Sequence, residues 1–239
     1  MSDLISICLA TYNGEKYIYE QLDSIICALE KLEDWKWEII ISDDQSIDKT
    51  LQYVKAFSAY EQIKIVNGPR MGIGKNFENA IKQASGKYIY LADQDDVWRV
   101  DRIFATIGHL KNYDFVVCNA LVVNRSLDLI PGRTLKPFKY GSLKNFCKNT
   151  LTGALLGGRR EALEKLLPFP EGEILHDHWI AVLAPLYGAK FQFLDDKLVL
   201  YRRHGANASS SSESSGSFIK IISNRLALIK QIYLKLKNT

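Results

Sequence analysis

Lys87-Tyr-Ile-Tyr-Leu-Ala-Asp-Gln-Asp-Asp-Val-Trp98 sets three carboxylates in four positions directly after an apolar run. The run Lys87 to Ala92 reads as a strand. A strand that ends in clustered carboxylates offers hard oxygen ligands at a sheet edge, where a divalent cation can bind them and a phosphate ester together. Taken alone, Asp93-Gln-Asp-Asp96 is equally a solvated acidic turn between a strand and a helix. The surrounding chain decides between the two.

Upstream, apolar runs at Leu4 to Ala10, Trp37 to Ile41 and Gln62 to Val66 are separated by amphipathic stretches of helical length. Strands alternating with helices predict βαβ units and a mostly parallel sheet, with ligands bound beyond the carboxyl ends of the strands. The polar motifs fall at those ends: Thr11-Tyr-Asn-Gly14, Ser42-Asp-Asp-Gln-Ser46, Asn67-Gly-Pro-Arg-Met-Gly-Ile-Gly74 and Asp93-Gln-Asp-Asp96. Each alone is explicable as structure: a strand-to-helix turn at Tyr12, a helix-entry cap at Asp43-Asp44, an incomplete dinucleotide fingerprint at Gly72-Ile-Gly74. Four such loops meeting at one crevice resemble a nucleotide pocket.

Bulk properties narrow the class. A chain of 239 residues, 47% hydrophobic and 24% charged, fits one α/β domain or one domain with an appendage. Its net charge of +4 is too mild to point to nucleic acid. Cys8, Cys27, Cys118 and Cys147 show no CxxC spacing and read as reduced core thiols of a cytoplasmic protein. The N-terminus lacks a basic and apolar leader pattern, and no segment approaches the ~20 apolar residues of a membrane span.

Together the motifs resemble the inverting family 2 glycosyltransferases of GT-A fold. The resemblance rests on Ala10-Thr-Tyr-Asn-Gly14, Ile41-Ser-Asp-Asp-Gln-Ser46, Met71-Gly-Ile-Gly-Lys-Asn76 and Leu91-Ala-Asp-Gln-Asp-Asp96. It continues through Thr152-Gly153, His176-Asp-His-Trp179 and Tyr201-Arg-Arg-His204, in family order over roughly residues 3 to 207. The Gln within the acidic motif, the Val-Trp after it and Tyr201-Arg-Arg-His-Gly-Ala-Asn207 are most similar to the rhamnosyltransferase-like branch that builds bacterial surface polysaccharides. What this implies is a Rossmann-like α/β domain with helices on both faces of its sheet. Its implied activity is transfer of a hexose from a dTDP- or UDP-linked donor to a glycan or lipid-linked glycan.

By the same resemblance, Thr11, Tyr12 and Asn13 surround the nucleobase and ribose, with Glu15 assisting, and Asp44 hydrogen-bonds base or ribose. Gly72 and Gly74 let the protein backbone come close to the nucleotide, and Lys75 meets phosphate. Asp93 holds the sugar or ribose, while Asp95 ligates Mn2+ or Mg2+ and Asp96 has no assigned role. His204 joins the metal or touches phosphate, unless the Arg202-Arg-His204 cluster is only the polar end of an edge strand. Asp177 matches the catalytic base, although His176 stands where many members carry a second acid. A metal site or a helix N-cap at His176-Asp-His178 are the alternatives there. Thr152, Gly153, His176 and Trp179 border the sugar and acceptor, and Trp98 reads as core.

The tail changes composition. Ser209 to Ser217 is a Ser-rich linker (208–217) that cannot bury itself. In the segment 218–239, Phe218, Ile222, Leu226, Ile229, Tyr233 and Leu236 recur at helical spacing among lysines and Arg225. Such a helix suits an anionic membrane surface, the protein body or a second subunit. Two other readings of the whole chain stay open: a sugar-nucleotide pyrophosphorylase, which lacks its glycine-rich basic signature here, and a catalytically inert module that retains the nucleotide pocket.

Overall fold

The computed structural model describes residues 3–172, 174–204 and 218–237; the Ser-rich linker lies outside them. Four apolar runs form strands β1 (Leu4–Thr11), β2 (Lys36–Asp43), β3 (Ile63–Asn67) and β4 (Tyr88–Asp93). They pair in parallel in the order β3-β2-β1-β4. Helices α1 (Ile18–Glu30), α2 (Thr50–Lys55) and α3 (Ile73–Gln83) make the crossovers. The centre of β1 and β2 is apolar without alternation because both sheet faces are covered, and Ile5, Ile7, Leu9, Ile39 and Ile41 are fully buried. Leu22, Ile25 and Leu29 of α1 and Phe77, Ala80 and Ile81 of α3 complete that core.

Beyond β4 the sheet departs from the expected parallel pattern. The next strands are β5 (Val97–Trp98), β6 (Phe115–Val123), β7 (Leu129–Thr134), β8 (Leu156–Arg159) and β9 (Phe191–Arg202). β8 lies antiparallel between β4 and β6, β9 runs parallel to β6, and β5 and β7 pair antiparallel with β9 and β6. The reason is local. β6 and β7 are joined by a tight turn closed by the Asn124 N–H on the Asp128 carbonyl, and so short a link permits only antiparallel pairing. β8 fits because Gly157 and Gly158 lack a Cβ, which would fall 2.5 Å from the Tyr90 ring and 2.6 Å from the Phe115 ring. The short helices α4 (Arg102–Ile107), α5 (Ser142–Cys147) and α6 (Arg160–Glu164) flank this half, and α7 (His176–Leu186) packs beside α3 and α5.

The last helix, α8 (Phe218–Lys237), forms where the spacing predicts it. Of the surfaces open to it, the body is met by a face other than the apolar stripe. Leu228, 1% exposed, and Ile232 meet the body, flanked by Arg225 and by Lys235, whose ammonium donates to the Leu167 carbonyl. Ile222, Leu226, Ile229, Tyr233 and Leu236 point outward. The cysteines also divide: Cys8 and Cys118 are core thiols, whereas Cys27 and Cys147 are exposed, because their helices turn those positions away from the sheet. Among the described residues no helix is long and apolar enough to cross a membrane.

Candidate active site

The parallel half of the sheet delivers its loops to one edge, where they line a cleft of about 1080 Å3. At its centre β4 ends in Asp93, and Asp95 and Asp96 follow. One carboxylate oxygen from each of the three lies within 4.8 Å of the others. β9 pins this loop from the neighbouring side. The Arg202 N–H donates to Asp96 Oδ1 at 2.9 Å, its Nε donates to the Asp95 carbonyl at 2.8 Å, and its guanidinium pairs with Glu20 at 2.6 Å. His204 Nε2 sits 2.6 Å from Asp95 Oδ2, its ring stacked on Tyr17 at 4.9 Å. Arg202 is thus a buried strut, while His204 reaches the acidic centre.

Under the loop, Arg102 is fully buried, its guanidinium 3.7 Å from the centre of the Trp98 ring and donating to the Ala154 carbonyl at 2.7 Å. Trp98 is core, as the sequence indicated. Burial, then Asp95 and Asp177, push the Asp93 carboxyl up to about 8, against the pull of Arg102. Asp96, 1% exposed, is raised well above the usual carboxylate range by burial and by its two acidic neighbours. Asp93 Oδ1 and Asp96 Oδ2 are buried without a hydrogen-bond partner among the described residues. Crowded carboxylates with orphaned oxygens and one adjoining imidazole make a donor set that fits Mg2+ or Mn2+.

The nucleotide side is built from loops that brace one another. The Thr11 hydroxyl donates to Asp43 Oδ1 at 2.9 Å, and Asp43 also accepts from the Ser46 N–H and hydroxyl. Asn13 receives the Ile47 N–H and gives its own N–H to the Ser46 hydroxyl, and Glu15 accepts the Lys49 N–H. Asp44 accepts the Arg70 N–H at 2.7 Å. Thr11, Tyr12, Asn13, Glu15, Asp44 and Gly72 all border the cleft, and Tyr12 is 52% exposed there. Gly72 has φ 87°, a conformation that favours glycine at the entry to α3. Asn13, Gln45 and Arg70 hold positive φ in the loops after β1, β2 and β3.

Two expected contacts move. Lys75 does not border the cleft: its ammonium pairs with Glu78 at 2.9 Å, because Glu78 is buried beside it and also accepts the Phe169 N–H. Asn76, one position on, faces the cleft instead, its amide donating to the Thr11 carbonyl at 3.1 Å with Oδ1 unpartnered. Trp179 is core, 2% exposed, with its indole N–H on the Leu166 carbonyl at 2.8 Å. Gly74 meets α7 in ordinary contact with His176. Sequence reasoning also missed Gln94, whose amide bonds both the Tyr12 N–H and carbonyl and so couples the first and fourth loops. The visible signal for both was a carboxamide among the carboxylates and glycines of a loop.

Across the cleft stands α7. His176 opens the helix and Asp177 lies in its first turn, so Asp177 is not the N-cap; Leu175 is. Burial raises the Asp177 carboxyl to about 6, opposed by the N–H groups of His178 and Gly153 and by the Asn149 side chain. His176 packs 4.4 Å from Phe77 with neither ring nitrogen partnered among the described residues, and burial lowers its imidazole to about 3, keeping it neutral. Gly153 opens a short 3-10 turn after Thr152, and both border the cleft beside Asp177.

The family model of glycosyl transferase family 2 matches residues 6–167, more than half of the chain. The chain belongs to that family. An Escherichia coli relative, the UDP-Glc:alpha-D-GlcNAc-diphosphoundecaprenol beta-1,3-glucosyltransferase WfgD, is 29% identical over 60% of this chain and 56% of its own length. The dTDP-rhamnosyl transferase RfbG of Shigella flexneri is 41% identical over 40% of this chain, which spans 34% of RfbG. Among solved structures, Staphylococcus aureus TarS 1-349 in complex with UDP-GlcNAc superposes with a TM-score of 0.73 and 21% identity, over 100% of this chain and 67% of that one. The fold is the GT-A fold of these glycosyltransferases.

A Cβ on Gly153 would stand 2.3 Å from His176 Nε2. Gly153→Ala is therefore expected to cost about 1–3 kcal/mol by overpacking. Adding His176→Ala should return part of that loss, and additive destabilisation of the pair in urea unfolding would refute the contact.

Proposed function

We propose that the protein is a metal-dependent inverting hexosyltransferase that moves rhamnose or a UDP-linked hexose from a nucleoside diphosphate to a growing cell-surface polysaccharide. One observation carries this reading. Asp177 and, from the acidic cluster, Asp93 and Asp95 come from different elements yet border the same cleft, with Asp96 buried just behind them. Direct displacement with inversion needs a base on one side of the anomeric carbon and charge stabilisation at the leaving diphosphate on the other.

Asp177 is the base. With its carboxyl raised to about 6 it is largely ionised at neutral pH yet basic enough to draw a proton from a sugar hydroxyl as that oxygen attacks. Tyr12, Asn13, Glu15 and Asp44 receive base and ribose, and Asp93 the sugar or ribose, with Gly72 beside the phosphates. Thr152, Gly153 and the neutral His176 border the transferred sugar. Asp95 and His204, with Asp93 and Asp96 alongside, would hold Mn2+ or Mg2+. Bound there, the cation would neutralise charge that develops on the departing diphosphate. The pyrimidine donors in the names of RfbG and the TarS complex support dTDP or UDP as the carrier. The reading takes the catalytic domain as residues 1–207, with 208–217 as linker and 218–239 as an appended helix.

Asp177→Asn should reduce kcat by about 10²–10⁴-fold while leaving nucleoside diphosphate binding intact. In the unsubstituted protein, protonation of Asp177 removes the base, so kcat/KM should fall as pH drops through about 6. Undiminished turnover in the Asn variant would remove Asp177 from this role.

Ligands that bind only the native state raise its melting temperature. UDP or dTDP is expected to do so more strongly with Mn2+ than without, and Asp95→Asn should abolish the metal-dependent part. A nucleotide shift indifferent to Mn2+ would overturn the metal assignment.

The outward stripe of α8, Ile222, Leu226, Ile229 and Tyr233, with Lys230 alongside, supports peripheral contact with an anionic inner membrane face. Ile229→Glu with Tyr233→Glu, both at exposed positions, should abolish flotation with phosphatidylglycerol vesicles. Equal flotation by the variant would sink this contact.

A further inference from the structure

Opposite the nucleotide loops, the cleft is bordered by a cation that no carboxylate of the described residues partners. Arg225 projects inward from α8. Its Nη2 donates to the Cys147 carbonyl at 3.0 Å and its Nη1 lies 3.0 Å from His178 Nε2, with the guanidinium 5.7 Å from the Phe146 ring centre. Among the described residues none of its contacts is an ion pair. Burial and the adjoining Arg225 lower the His178 imidazole to about 4, so that ring is a neutral neighbour. The Cys147 carbonyl accepts from the guanidinium, which also rests against the neutral His178 ring, whose Nε2 lies 3.0 Å from the Asn145 carbonyl as well, so the positive charge stays at the cleft wall.

The segment beside it is one-sided in charge. Residues 129–158 carry Arg133, Lys136, Lys139, Lys144 and Lys148 and no Asp or Glu. Lys148 directly follows the Cys147 that anchors Arg225, is exposed, borders the cleft, and forms no ion pair among the described residues. The opposite wall carries Glu15, Asp44 and Asp48, with Lys16 as its neighbouring cation. A wholly neutral sugar acceptor gains little from such segregation, whereas a phosphate gains charge-assisted bonds from a guanidinium and an ammonium placed together.

We propose that Arg225 and Lys148 form a phosphate subsite on the acceptor side of the cleft, so that the acceptor is a phosphate-bearing glycan. This rests on Asp177 as the base. A hydroxyl held at Asp177 is next to His178, and His178 touches Arg225, so a phosphate close to the accepting sugar falls at this wall. The phosphate is either the diphosphate of a lipid-linked sugar or a diester of a polyol phosphate chain.

The test uses the full chain with three probes in isothermal titration calorimetry: a short-alkyl diphosphate-linked GlcNAc, a glycerol phosphate oligomer, and the alkyl glycoside of GlcNAc without phosphate. UDP and dTDP are titrated in parallel. At least one phosphate probe should bind about tenfold or more tightly than the neutral glycoside, and which one does so names the source. Arg225→Gln should erase that advantage, Lys148→Ala should reduce it several-fold, and Arg225→Lys should restore part. Nucleotide affinity should change by less than about twofold in all three. Because Arg225 also helps seat α8, Leu228→Ala is a control that loosens the helix without removing charge, and it should keep the preference for phosphate. Equal binding of phosphate and neutral probes overturns the subsite, as does an Arg225→Gln loss that falls on the nucleotide instead. Absence of binding by UDP and dTDP to the unsubstituted chain would strike the donor reading, a result separate from either.

Discussion

Three carboxylates with oxygens within 4.8 Å of one another at the end of a buried strand are mutually repulsive, and the second half of the fold is arranged around that repulsion. Arg102 lies beneath them on α4, stacked on Trp98 from β5. Arg202 and His204 approach from β9, one giving its backbone N–H to Asp96 and the other its imidazole to Asp95. For β9 to arrive there it must run beside β6 and pair with β5, and that pairing requires the mixed sheet. These supports leave Asp93 Oδ1 and Asp96 Oδ2 unanswered. The protein thus offsets part of the electrostatic cost internally and leaves a remainder suited to a divalent cation.

The sequence was most legible where geometry forces convergence. Parallel strands place every following loop on the same edge, so four polar motifs after four apolar runs had to meet whatever their individual turn chemistry. Legibility failed where one residue of helical rotation decides the outcome. Lys75 and Asn76 are adjacent on α3, about 100° apart around its axis. Which of them faces the cleft is set by buried Glu78, which pairs with Lys75 and Lys82 on its own helix and is held in place by the Phe169 N–H, a contact distant in sequence. Trp179 followed the same logic, its place in the core fixed by the Leu166 carbonyl on a neighbouring loop. The antiparallel half was hidden because its direction depends on a short turn and two glycines that periodicity does not register.

α8 shows that apolar spacing can find a helix without saying which of its faces the body takes. Spacing ranks the Ile222 to Leu236 stripe first, yet the body takes the stripe through Arg225, Leu228, Ile232 and Lys235. What the body offers is a shallow contact edged by backbone carbonyls at Cys147 and Leu167, and long cationic side chains can lay their stems on apolar surface and give their heads to those carbonyls. The richer apolar stripe is left outside.

A net charge of +4 conveys almost nothing of how that charge is spent across the cleft. One wall and the floor carry Glu15, Asp44, Asp48, Asp93 and Asp95, while the other carries Lys148 and Arg225 and adjoins a segment of 30 residues without a carboxylate. On the proposed reading, a divalent cation would let an anionic donor settle against these carboxylates, and binding of donor and cation would be coupled there by electrostatics. An anionic acceptor needs no such intermediary on the second. On the proposed reading, two phosphate-bearing substrates then meet at Asp177 with their negative charges neutralised separately, one by the divalent ion and the other by the protein, which keeps their mutual repulsion from opposing the encounter.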